Sequence, residues 1–129
     1  MIDHVGFAVG DFARSRAFYV QALAPLGYAP VMDVTKEQSG GYEGTGFGRP
    51  GRPQFWIGTG EARGGSTHVA FAAETRAAVD AFHRAALAAG GRDNGAPGLR
   101  PHYHANYYGA FVFDPDGHNI EAVCHAPPA

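Results

Sequence analysis

The period of the apolar positions changes along the chain in a regular order. Ile2–Val9 and Thr67–Ala73 are short, mostly apolar runs of strand length. A stretch with helical periodicity follows each run. In the first, Phe12, Ser15, Phe18, Ala22, Leu23 and Leu26 share one face; in the second, Val79, Phe82, Ala86 and Ala89 do. Asp11 and Thr75 stand where a side-chain oxygen can cap a helix N-terminus. Gly27 and Gly90-Gly91 stand where glycine commonly ends one. Tyr28–Val34, Gly41–Gly48 and Pro53–Gly58 read as strands, the middle one weakened by its glycines. Tyr107–Phe113 and His118–Cys124 flank Asp114-Pro115-Asp116-Gly117, a strong hairpin turn. Arg92–Ala105 has little periodicity and reads as a connector, a kind of segment that often carries function.

The two halves also match residue by residue. His4-Val5-Gly6-Phe7-Ala8 returns 64 positions later as His68-Val69-Ala70-Phe71-Ala72. The register continues without gaps through Ala17 and Ala81, Phe18 and Phe82, Leu23 and Leu87, Gly27 and Gly91, with Asp11 falling on Thr75. A fixed internal period decides architecture before propensity does. The chain is therefore expected to be one domain over 1–129, built from βαβββ modules at 1–64 and 65–129.

Composition narrows the setting. At 129 residues, 45% hydrophobic and 17% charged, the chain suits one packed domain. Ten basic against twelve acidic residues, with no block of either sign, removes the footprint of a general nucleic-acid binder. No apolar run approaches the ~20 residues that cross a bilayer. Met1-Ile2-Asp3-His4 has no secretory signal pattern, and Cys124 is the only cysteine, so a reducing cytoplasm is the expected setting. What composition leaves over is 19 glycines and 7 histidines.

Strand parity places two of those histidines. Successive side chains point to opposite faces, so Val5, Phe7 and Val9 separate from His4, Gly6 and Ala8. In the repeat, Val69 and Phe71 separate from His68, Ala70 and Ala72. The bulky faces can pack beneath the helices, and the others pair a histidine with small residues that leave space. On the last strand, Glu121 shares a face with Asn119 and Val123, opposite Ile120, Ala122 and Cys124. Two imidazoles and one carboxylate form a common divalent-metal set that keeps vacant positions for a substrate oxygen or water. His4, His68 and Glu121 are accordingly the candidate metal ligands.

These residues resemble the vicinal-oxygen-chelate superfamily, which groups glyoxalase I, bleomycin- and fosfomycin-resistance proteins, methylmalonyl-CoA epimerase and extradiol dioxygenases. The resemblance rests on His4-Val5, on Asp11, Ser15 and Phe18-Tyr19, on His68-Val69-Ala70-Phe71, and above all on Asp114-Pro115-Asp116-Gly117-His118-Asn119-Ile120-Glu121. It covers nearly the whole chain. It implies an α+β fold of two βαβββ modules forming a half-open, U-shaped mixed sheet with the helices outside. It also implies Zn, Fe, Mn or Ni held by His4, His68 and Glu121, a small-molecule substrate, and a homodimer. The chain departs from glyoxalase I at that enzyme's fourth ligand, a glutamate. The corresponding stretch is Pro53-Gln54-Phe55-Trp56-Ile57, and its register leaves Phe55, Trp56 or Ile57 opposite Glu121.

The remaining candidates lie around this centre. His104 and Tyr107 are candidate acid–base residues, and Arg100, His102 and Tyr108 candidate substrate contacts. Trp56 either lines the hollow, as a substrate contact, or packs under the first helix. Cys124 reads as buried packing; His118 and His125 have no assigned role. The expected activity is metal-dependent isomerase or lyase chemistry on a small oxygenated molecule, with dioxygenation next. The competing expectation is a metal-free protein that sequesters a ligand, as bleomycin-resistance proteins do.

Overall fold

The computed structural model describes residues 1–128; Ala129, the last residue of the expected second module, lies outside the described residues. The first module contains β1 (Val5–Val9), α1 (Phe12–Leu23), β2 (Ala29–Val34), the single turn α2 (Lys36–Ser39), β3 (Gly44–Arg49) and β4 (Arg52–Thr59). The second contains β5 (His68–Ala72), α3 (Arg76–Ala88), β6 (Arg92–Leu99), β7 (Tyr108–Phe113) and β8 (Asn119–Cys124). Both main helices start on the expected caps: Asp11 accepts from the Arg14 amide and Thr75 from the Ala78 amide, each at 3.1 Å. Gly27 takes φ +82°, a left-handed conformation that glycine adopts without a side-chain clash.

Each module folds into one four-stranded mixed sheet, in the orders β1-β4-β3-β2 and β5-β8-β7-β6. In each, the first strand pairs parallel with the last and the other pairs are antiparallel. The fold is thus the expected open pair of βαβββ modules, with strands divided between two sheets. One sheet face packs on a helix. Phe18, Tyr19, Leu23, Phe47, Phe55 and Ile57 from module one join Phe71, Val79, Phe82, Val112 and Ile120 from module two in one buried cluster. The modules share it directly: the Phe55 and Phe71 rings meet edge-on at 5.1 Å, and α1 lies against α3.

The expected connector is partly a strand. Arg92–Leu99 forms β6 at the sheet edge, and its pairing with β7 shifts register between Asp93 and Gly95 and again between Gly95 and Gly98. Bulges of this kind interrupt the alternation by which a strand is recognised in sequence. Only the part from Arg100 to β7 remains a loop.

Candidate active site

The helix-free face of module two carries a compact polar group. β5 pairs with β8 so that Ala70 lies beside Glu121 and Val69 beside Ile120. Ile120 and Phe71 therefore enter the core, while His68 and Glu121 project from the opposite face. His68 Nε2 stands 2.9 Å from Glu121 Oε1. The Tyr107 hydroxyl donates to the other carboxylate oxygen, Oε2. Glu121 is only 1% exposed, whereas the His68 side chain is 47% exposed, so the carboxylate sits beneath a ring that solvent reaches. Burial, then the hydrogen bond and negative charge of Glu121, raise the Tyr107 phenol far above its ordinary value. Its proton stays in place across the neutral range.

Gly109 makes room for this contact. A Cβ there would lie 3.2 Å from both Glu121 Oε2 and the Tyr107 ring. The ring is also held from the side: its centroid is 4.7 Å from Tyr103, 5.5 Å from His104 and 5.3 Å from His125. His104 and His125 approach within 2.8 Å, Nε2 to Nδ1, and the Asn106 amide donates to His104 Nδ1. With Nδ1 accepting, a neutral His104 carries its proton on Nε2 and donates to His125.

His4 is elsewhere. It precedes β1, is 59% exposed, and takes Asp3 as its partner at 2.8 Å. Within one chain the three expected ligands therefore do not converge, although His68 and Glu121 do. Among the described residues, the ligating side chains that do cluster in three are Asp114, Asp116 and His118, whose donor atoms lie within 4.8 Å of one another. These are already engaged. Asp114 accepts from Tyr19 Oη at 2.6 Å, from His118 Nδ1 at 2.7 Å, and from the Asp116 and His118 amides at 2.9 Å. Asp116 accepts from the Gly10 amide at 3.3 Å and faces Ser15 Oγ at 3.5 Å. Phe7 stacks on His118 at 3.8 Å. Residues from β1 and α1 thus tie the β7–β8 hairpin to module one. Burial, followed by the charge of Asp114, raises the Tyr19 phenol strongly, so it remains the donor.

The repeat register resolves the glyoxalase-like fourth position. Gly6, the counterpart of Ala70, pairs with Trp56, as Ala70 pairs with Glu121. Trp56 therefore occupies in module one the place of Glu121 in module two. Phe55 and Ile57 are buried on the core side. Trp56 lies half-buried on the open face and lines a hollow of about 250 Å³ with Tyr42 and Gly58. A larger hollow of about 350 Å³ runs between β1 and β5, with Asp3, Gln54 and His68 on its wall.

Two other expected contacts are engaged elsewhere, Arg100 on the open face over Phe111, the cross-strand neighbour of Glu121, and Tyr108 on the helix side. Arg100 donates to the Gly98 and Ala96 carbonyls at 2.9 and 2.8 Å and lies over Phe111, which pins it to β6. Tyr108 donates to Asp80 on α3 at 2.6 Å, and that bond is the main cause of its raised phenol value. His102 is exposed on the loop, its ring 4.2 Å from Tyr103.

Solved structures share this fold. A glyoxalase/bleomycin resistance protein from Albidiferax ferrireducens T118 is 30% identical, with a TM-score of 0.78, over 97% of this chain and 98% of that one. A glyoxalase/bleomycin resistance protein/dioxygenase family enzyme from Burkholderia phytofirmans PsJN is 21% identical over 97% and 98%, with a TM-score of 0.69. The E144Q mutant of glyoxalase I from Zea mays is 23% identical with a TM-score of 0.69, this chain covering only 46% of it. At those identities the latter two bear on fold alone. No curated protein matches the chain significantly. The profile of the Glyoxalase/Bleomycin resistance protein/Dioxygenase superfamily matches residues 1–122, and with the paired βαβββ modules this establishes that the chain belongs to that superfamily.

Proposed function

We propose that the chain is a metal-dependent enzyme acting on a small oxygenated molecule, with His68 and Glu121 at its centre. The observation that carries this reading is the buried Glu121 carboxylate, whose partners are an imidazole and a phenol, with neither Lys nor Arg among them. A carboxylate so placed is costly unless hydrogen bonds or a cation compensate it. The donor set suits a divalent ion: Oε1 and Nε2 are 2.9 Å apart, and His68 is accessible. Zn, Fe, Mn or Ni held there would polarise substrate oxygens.

His4 supplies the third ligand from a second copy, which accounts for its exposed position and favours a homodimer with shared sites. The domain then acts as a unit of two modules, each presenting one open face. His104 Nε2, once released from His125, is placed to exchange protons with substrate or solvent, while Tyr107 keeps its proton and donates it in a hydrogen bond. Trp56 contributes an apolar wall, with Arg100 and His102 contributing at the rim, whereas Tyr108, bonded to Asp80 on α3, lies on the other side of the sheet and takes no part. Trp56 in the place of a fourth carboxylate argues against strict glyoxalase I activity. Isomerase or lyase chemistry is favoured over dioxygenation, and the setting is a reducing cytoplasm.

Metal analysis of untagged protein tests this, with His4→Ala, His68→Ala and Glu121→Ala alongside. The expected result is near-stoichiometric metal in wild type and loss in all three variants. Equally low metal in all four after reconstitution overturns the reading in favour of metal-free ligand sequestration.

A further inference from the structure

We infer that Tyr107 is a positioning residue that holds Glu121 to single-oxygen coordination, leaving Oε1 to face His68 and a metal. This deepens the metal reading above and rests on it. The two oxygens of Glu121 have different partners: Oε1 faces His68 Nε2 at 2.9 Å, and Oε2 accepts from the Tyr107 hydroxyl. A carboxylate free to rotate can offer both oxygens, or turn away, whereas one oxygen fixed by a donor fixes the direction of the other. The flanking residues are arranged around the same contact. Gly109 leaves the space that any larger residue would take from Oε2 and the Tyr107 ring. Tyr103, His104 and His125 enclose that ring, and the His104–His125 bond closes the enclosure from two distant parts of the chain. These rings hold Tyr107, Tyr107 holds Glu121, and Glu121 presents one oxygen beside His68.

The neighbouring tyrosine provides the control. Tyr108 bonds to Asp80 on α3 and has no contact with Glu121 in the hydrogen-bond network. Both residues lose only a hydroxyl on replacement by Phe.

The test titrates Zn²⁺ into full-length wild type, Tyr107→Phe and Tyr108→Phe in competition with a chromophoric chelator. Co²⁺ absorption spectra and thermal unfolding of the metal-free proteins are recorded in parallel. Removing an outer partner of a metal ligand commonly weakens binding by about 10–100-fold. The expected result is a loss of that size for Tyr107→Phe with an altered Co²⁺ spectrum, while Tyr108→Phe retains wild-type affinity and spectrum. Gly109→Ala, which crowds the same oxygen, is expected to weaken binding in the same direction, and it carries the test should Tyr107→Phe not fold. Wild-type affinity and spectrum in Tyr107→Phe, or an equal loss in Tyr108→Phe, overturns the inference. Glu121→Ala separates the two levels: if it also binds Zn²⁺ like wild type, the metal reading itself has failed.

Discussion

The two modules share a topology and a strand register but present opposite chemistry on their open faces. In module two, Ala70 lies beside Glu121, and the face carries His68 and Tyr107 as well. In module one the same place beside Gly6 holds Trp56, with Tyr42 nearby over Gly58. The core-facing positions have stayed alike: Phe7 answers Phe71, and Phe18 answers Phe82. Packing against a helix constrains the buried side of each strand. The buried sides therefore retain the record of the repeat, and the open sides keep His4 and His68 but diverge where Trp56 stands in module one and Glu121 in module two. Module two carries the ionisable group; module one supplies an apolar wall and, at its N-terminus, an exposed histidine.

The largest effect is expected where the two halves are joined. Asp114→Ala would strand the Tyr19 hydroxyl and the His118 ring without their acceptor in a buried seam. Losing several buried hydrogen bonds to a carboxylate should cost about 3 kcal/mol or more, read as a fall in the urea midpoint. A loss below about 1 kcal/mol would show that the seam does not hold the modules together.

The asymmetry of the faces can be removed directly. Trp56→Glu places a carboxylate at the counterpart of Glu121 without touching the core, where Phe55 and Ile57 lie. If the two faces meet around one metal in the dimer, the added ligand should tighten Zn²⁺ binding about tenfold, or ~1.4 kcal/mol. Unchanged affinity in the chelator competition would place module one's face outside the metal's reach.

A smaller effect concerns module one alone. Arg16 donates to Asp33 at 3.0 and 3.2 Å and, with Thr45, holds that carboxyl below its usual range. A depressed carboxyl contributes stability above its unfolded pKa, ~3.9, and loses it as pH falls through the lower folded value. Because both side chains are partly exposed, Asp33→Asn should cost under about 1 kcal/mol at pH 7. The difference from wild type should shrink in acid denaturation as pH falls below the ordinary carboxylate value of ~3.9.

Much of this was legible in the sequence because the relevant signals are local or periodic. The repeat and strand parity put His68 and Glu121 on one face, and the caps Asp11 and Thr75 set both helix starts. Trp56 was not resolvable from Phe55 and Ile57 because the β3–β4 pairing shifts between Phe47 and Gly48, so residue counting alone does not give the register. β6 was hidden by its two bulges. His118 was missed although a signal existed: the parity that turns Ile120 and Ala122 inward continues back to it, and its ring is buried against Asp114. Tyr19, 95 residues from Asp114, and His125, 21 from His104, meet their partners only through the tertiary fold.

The central claim is that module two's open face is a metal centre completed by His4 of a second copy. Mixing the His4→Ala and Glu121→Ala proteins under subunit-exchange conditions tests it most directly, with Zn²⁺ bound per dimer as the readout. Neither variant alone should bind, whereas the mixed dimer should regain one site, because one of its two shared sites pairs an intact His4 with an intact His68 and Glu121. No recovery in a mixture shown to have exchanged subunits, or full binding by either variant alone, would contradict the account.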